Sequence, residues 1–242
     1  MVIPLRLVLP MEYCTVYFLT QTLADMAANE GWLTAGERAR AARLRFPKRH
    51  SDWLLGRWTA KQALRSLMIQ TGRDAPDYRA IELRTAPDGA PEAFWGDLPA
   101  PVSLALSHSN GRGLCVLARA GIALGCDLEE VQLREVAFLE DYFCDEEKLL
   151  MKNAPSGEQP LLATLIWSAK ESALKCLREG LRRDTRSVLV DLAGDVRPGW
   201  SPLSVRCPEL SQHFHGWWRG TGGCVQTVAA GVPVNEPVEL RI

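Results

Sequence analysis

The spacing of apolar and polar positions divides the chain into long helical stretches and short strand-like ones. From about Ser51 to Thr71 the apolar residues recur at helical spacing, and Gly72 is placed to end the segment. Ahead of it, Thr34-Ala-Gly-Glu37 has the spacing of a capping box and opens a basic helix carrying Arg38, Arg40, Arg43 and Arg45. Residues 78–85 alternate like a strand, and Pro87-Asp88-Gly89 supplies turn chemistry after them. VSLALSH (102–108), GLCVLAR (113–119) and IALGCDLE (122–129) are three further strand candidates. Residues 132–152 and 160–180 read as helical, separated by a loop at 154–157, and the tail holds short strand-like pieces broken by Gly and Pro. Hairpin-linked strands mixed with helices, and too few crossovers for a doubly wound parallel sheet, predict an α+β fold.

A weak internal echo bears on domain organisation. Trp58-Thr-Ala-Lys61-Gln62 resembles Trp167-Ser-Ala-Lys170-Glu171, 109 residues later, and Cys115-Val116 and Cys224-Val225 stand at the same offset. The echo predicts two pseudo-duplicated α+β halves, 1–121 and 122–242, related by an approximate two-fold, with an active site in the cleft between them. Only the second copy has a carboxylate where the first has Gln62, so metal chemistry is expected in the C-terminal half.

Composition narrows the field further. With 47% hydrophobic and 24% charged residues the chain can bury a sizeable core, which excludes disorder as its main state. A formal charge of −1 removes the global positive excess that sequence-independent nucleic-acid binding uses. The seven cysteines contain no C-x-x-C, which argues against a disulfide framework or a zinc knuckle and for a reducing cytoplasm. The opening MVIPLRLVLPMEYC makes a poor signal peptide, and no apolar run reaches the roughly 18–20 residues of a membrane span.

Against this background a few side chains stand out. Asp127 and Glu129 are two apart on a strand candidate, so both carboxylates face one side and suit a hard cation such as magnesium. Glu171 and Lys175 share a helix face, with Lys170 beside them; a third carboxylate and two lysines imply a phosphorylated substrate sharing the metal. Ser107-His108 follows a strand, but alternation turns the two side chains to opposite faces, and no G-x-S-x-G surrounds the serine. Ser172-Ala-Leu-Lys175 matches the S-x-x-K of acyl-enzymes without its companion motifs. His213 and His215 share a strand face with no third zinc ligand at the usual spacing.

Taken in order, SHSNG, GCDLEEV, YFCDEEKLL and WSAKESALK resemble the signature blocks of the 4′-phosphopantetheinyl transferases, most of all the large two-half class serving peptide, polyketide and fatty-acid synthases, over roughly residues 34–190. The resemblance implies a duplicated α+β fold and a magnesium-dependent transfer of the phosphopantetheine arm of coenzyme A to a serine of an apo acyl or peptidyl carrier protein, releasing 3′,5′-ADP. It implies metal carboxylates at Asp127, Glu129 and Glu171, and coenzyme contacts at Arg57, Lys61, Arg84, Ser107, His108, Lys170 and Lys175. Catalytic roles fall to Lys175 and to Glu147, the latter as general base unless a metal-linked water takes that part. Two departures stand out. Gly89-Ala90-Pro91 lacks a lysine the family carries, so either weaker coenzyme affinity or a substitute from the arginine helix is expected, and Arg178-Glu179-Gly180-Leu181 replaces a G-x-G-L. The alternative is a non-catalytic coenzyme- or carrier-binding protein of the same fold. The expected enzyme is a cytoplasmic monomer with no nucleic-acid or membrane partner, and Arg134 or Lys148 would serve a basic face for an acidic carrier.

Overall fold

The computed structural model describes residues 13–192 and 197–242; the N-terminal apolar stretch lies for the most part outside the described residues. Strand β1 (Tyr17–Thr22) leads through a capped loop to α1 (Ala35–Ala41) and then to α2 (Pro47–Gln70). A small hairpin sheet follows, β2 (Ile81–Thr85), β3 (Pro91–Trp95) and β4 (Leu98–Pro99), and then β5 (Val102–Ser109), β6 (Arg112–Arg119) and β7 (Leu124–Glu130). Helices α3 (Val136–Tyr142), α4 (Asp145–Asn153) and α5 (Gln159–Cys176) come next, and β8 (Leu189–Asp191), β9 (Ser201–Cys207), β10 (Gln212–Thr221), β11 (Cys224–Ala230) and β12 (Val238–Glu239) complete the chain. The mixture is α+β, as the pattern predicts.

Among the described residues the strands form three sheets: sheet I in the order β12-β1-β6-β5, sheet II in the order β7-β11-β10-β9-β8, and the small sheet β2-β3-β4. Helix α2 packs on β1 and β6, and α5 packs on β7 and β11. Sheets I and II share one core, in which Phe18, Leu114 and Val116 meet Cys126, Leu128 and Val228. Fully burying a large apolar side chain contributes about 1.5–3 kcal/mol, so this seam joins the sheets firmly. The last strand returns across it: β12 pairs in parallel with β1, so a cut at residue 121 does not separate the sheets.

Boundaries moved where local chemistry overrides periodicity. Helix α2 starts at Pro47, four residues before the expected start, because proline is pre-set for the first helical position and needs no donor there. The single helix expected over 132–152 is two, α3 and α4, interrupted at Phe143-Cys144, where the Glu147 carboxylate caps the Cys144 amide. Helix α5 stops at Cys176, and Arg178 takes a left-handed φ of 58°.

One buried arrangement occurs twice. Glu37 accepts the Thr34 amide at 2.9 Å, the Leu83 amide at 3.0 Å and Lys61 Nζ at 2.5 Å, and that ammonium also donates to the Trp32 and Tyr78 carbonyls. Glu147 accepts the Cys144 amide at 3.0 Å, the Val190 amide at 3.1 Å and Lys170 Nζ at 2.9 Å, which donates in turn to the Thr185 and Val188 carbonyls. Each knot ties a short capped helix to a long helix and to a neighbouring strand. Both lysines are fully buried and each glutamate nearly so, and removing one member of such a pair strands a charge in the interior. Lys170→Met should therefore cost about 3–5 kcal/mol in urea unfolding, and Glu147→Gln/Lys170→Met together should regain most of it.

Candidate active site

Helix α5 and strand β7 touch backbone to backbone. A Cβ at Gly125 would lie 1.9 Å from the Ser172 carbonyl oxygen, so only glycine permits the approach. Ser168 and Ser172 of α5 share the Thr227 hydroxyl of β11 at 2.9 and 2.6 Å, which fixes the helix in that groove. Thr227 stands directly opposite Asp127 in the ladder, so Gly125, Asp127 and Glu129 all face α5.

Asp127 is buried at the centre of this contact. Its Oδ1 accepts from Ser107 Oγ and from Lys175 Nζ, each at 2.8 Å, while Oδ2 is buried with no partner. Ser107 also accepts the Leu128 amide, so β5 reaches β7 through this hydroxyl. Lys175 donates further to the Cys126 carbonyl at 2.8 Å. Burial opposes the Lys175 ammonium, but Asp127, with Cys126 and Glu171 behind it, more than offsets this and holds the pKa above the ordinary lysine value. Burial raises the pKa of Glu129, and the Asp127 charge adds to it against the pull of Arg134 at 3.2 Å and the Trp167 side chain. Glu171 is raised by burial too, with Asp127 and Glu129 adding to it and Lys175 opposing.

Three carboxylates that disfavour one another's charge, one of them with an orphaned buried oxygen, fit a hard cation bound through oxygen. Among the described residues no group of three or more His, Cys, Asp or Glu side chains is placed to hold a metal ion. Magnesium does not call for one, since it keeps waters and takes oxygens from substrate phosphates.

A cavity of about 630 Å3 opens on the other side of β5. Arg40, Lys48, Arg49, Arg57 and His108 line it, with Asp52 as the acidic residue in its wall. Arg57 lies 4.5 Å over the Trp53 ring, its Nε is buried without a partner, and burial lowers its pKa. Lys48 and Arg49 belong to the first turn of α2, where exposed amides and the helix dipole also favour an anion. A second cavity of about 640 Å3, walled by Phe94, Leu104, Ile122 and Leu124, has Lys175, Arg178, Arg182, Asp88 and Glu92 at its surface. Gly89, Pro91 and Leu106 line both, so a basic basin and an apolar one adjoin.

Residues 123–218 match the family model described as ACPS, the 4′-phosphopantetheinyl transferase superfamily. No curated protein matches the chain. The matched span holds Asp127, Glu129, Glu171 and Lys175, while Ser107 and the basic cavity lie on its N-terminal side.

The structure gathers some of the expected residues and not others. Asp127, Glu129, Glu171, Lys175 and Ser107 meet at the α5–β7 contact, and Arg57 and His108 meet in the basic cavity. Glu147, expected as general base, is sealed in its knot with both oxygens occupied, and Lys61 and Lys170, expected on the coenzyme, are sealed in theirs. All three placements oppose those roles, because a fully buried, paired charge cannot reach a ligand. Arg84 pairs with Glu82 and Asp97, lies over Phe94 and lines neither cavity. Ser172 has its hydroxyl committed to Thr227, which removes the acyl-enzyme reading. His213 and His215 sit with ring centroids 4.4 Å apart on sheet II, His213 bonded to Ser204. All seven cysteines are free, and burial pushes the Cys126 thiol up to about 12. Among the described residues no helix is long and apolar enough to cross a membrane. Sequence reasoning missed Lys48 and Arg49; the signal was Pro47, which starts the helix early enough to include them.

The raised carboxyls set a pH test. A carboxyl whose pKa folding raises subtracts from stability once ionised, and this penalty is absent below the unfolded pKa of about 4.3. Glu171→Gln should raise the melting temperature of the metal-free protein at pH 7. The difference should vanish at pH 4; an equal gain at both values would place the effect elsewhere.

Proposed function

We propose that the protein transfers the 4′-phosphopantetheine arm of coenzyme A to a serine of an apo acyl or peptidyl carrier domain, with magnesium, releasing 3′,5′-ADP. The observation that carries this reading is the Asp127–Glu129–Glu171 face with Lys175 bound to Asp127 and lining the cavity that adjoins the basic one. The anionic nucleotide end of coenzyme A suits the basin of Arg40, Lys48, Arg49, Arg57 and His108. These cations stand around Gly89 and supply the charge that Ala90 does not, which favours an active enzyme over a binding-only relative. The uncharged arm suits the apolar basin beside Lys175.

Asp127, Glu129 and Glu171 would hold the cation, and magnesium when bound offsets negative charge on the pyrophosphate. Lys175, fixed by Asp127 and the Cys126 carbonyl, presents its ammonium to the same phosphates and stabilises charge developing on the leaving group. The carrier serine oxygen bonds to the β-phosphorus as the bond to the 3′,5′-ADP oxygen breaks. With Glu147 sealed away, the serine proton would pass to a water at the carboxylate face.

The carrier itself is assigned to the surface beside Glu129, where Leu133 and Val136 are exposed. Arg134 and Lys148, expected as a free basic face, are already paired with Glu129 and with Glu140 and Asp145. Two equivalent halves, monomeric action and a cytoplasmic setting complete the reading; the doubled Glu–Lys knot supports the first and the free, mostly buried thiols the last.

Incubated with coenzyme A, magnesium and a panel of apo carrier domains, the protein should add the mass of one phosphopantetheine to at least one, and a chelator should stop it. Asp127→Asn should lower the rate at least about 100-fold, the scale on which loss of a transition-state charge contact is felt. A panel left unmodified, with a known transferase succeeding in parallel, would refute the assignment.

A further inference from the structure

The end of α5 carries a residue in an unusual state. The helix closes with the double bond pattern of a Schellman cap: the Arg178 amide donates to the Lys175 carbonyl at 3.0 Å and the Glu179 amide to the Leu174 carbonyl at 3.2 Å. The left-handed position of that cap is where glycine is the default, because it alone has no Cβ to crowd the backbone. Here it is Arg178, at φ 58°. A long cationic side chain is held where its backbone is least at ease.

That side chain spans the apolar cavity to the hairpin on the other side. Arg178 Nε lies 2.6 Å from Asp88 Oδ2, and Nη2 lies 2.8 Å from Glu92 Oε1 and 3.2 Å from Asp88 Oδ1. Arg182 supports it, donating to the Arg178 carbonyl at 2.7 Å and to the Asp88 carbonyl at 3.3 Å. Asp88 Oδ1 also accepts the Ala90 amide, so the charge that receives the arginine shapes the turn bearing Gly89 and Ala90. Asp88, Glu92, Arg178 and Arg182 all line the same cavity as Lys175.

We propose that Arg178, with Asp88 and Glu92, is a clasp that holds the two walls of the apolar cavity at the spacing that receives the uncharged arm of coenzyme A. It is a positioning residue, acting on the ligand through the width of the cavity. The inference rests on the reading of this cleft as the coenzyme site. A binding site held at its bound width spares the ligand the cost of ordering it, so loss of the clasp weakens binding and leaves the chemical step alone.

Arg178→Gly tests this without endangering the fold, because glycine is the better cap residue. Calorimetric affinity for coenzyme A should fall about 5- to 10-fold, while that for 3′,5′-ADP, which lacks the arm, stays within about twofold. The KM for coenzyme A should rise in step, with kcat within about twofold. Asp88→Asn/Glu92→Gln, which keeps the arginine, should reproduce the loss. If Arg178→Gly weakens binding and the double carboxylate variant does not, the arginine contacts the ligand directly and the clasp is overturned. Unchanged affinity in both variants overturns it too. If the wild-type protein binds neither ligand, the coenzyme reading of the cleft falls separately. The clasp then stands or falls on hydrogen exchange at the Ala90 amide, which Arg178→Gly should speed at least about tenfold and which an unaltered rate would contradict.

Discussion

The site depends on how closely α5 can lie on β7. At Gly125 the strand has no side chain, the helix backbone descends onto it, and the Ser168–Ser172–Thr227 hydroxyls lock the contact. Everything chemical follows from that depth. Lys175 reaches Asp127 and the Cys126 carbonyl in one move, and Glu171 comes within the electrostatic range of two carboxylates from another element. The energy that folding spends there is visible in the raised pKa of Glu129 and Glu171 and in the unpartnered Asp127 oxygen. A cation and a phosphate are the partners that would relieve both at once.

The two Glu–Lys knots brace the elements that carry this cost. Each knot braces a long helix against a short capped one and a neighbouring strand, and in neither does the lysine reach solvent. At the same 109-residue offset, Phe18 and Thr20 stand for Asp127 and Glu129, and Gln62 and Ser66 for Glu171 and Lys175. Phe18 is buried in the core shared by the two sheets, and Tyr78 donates to Gln62. One set of positions packs the core, and its counterpart carries the charged residues of the candidate site.

Much of this was legible in the sequence. Period-2 alternation located β5, β6 and β7, helical spacing located α2 and α5, and the paired carboxylates of GCDLEE with the Lys-Glu helix located the centre of the site. Residues whose meaning depends on depth could not be read. Lys61, Lys170 and Glu147 have the composition of a phosphate and metal site, but a lysine near a glutamate reads identically whether it is solvated, catalytic or sealed in the interior. Strand β1 was missed because YFLTQT alternates weakly and is held by β6 and β12 on its two sides. The break between α3 and α4 depends on a side chain turning back to cap an amide, and the clasp on two loops brought together by the fold. Neither has a periodic signal.

The central claim is that the backbone contact at Gly125 assembles the reacting groups, and Gly125→Ala tests it most directly. One added methyl group should lift α5 from β7, leaving a cooperatively folded protein, destabilised by about 1–3 kcal/mol as overpacking is, whose transfer of phosphopantetheine falls by about 100-fold or more. Gly157→Ala, with open space around its Cβ position, is the control and should keep the wild-type rate. A folded Gly125→Ala protein that transfers at the wild-type rate would contradict the account.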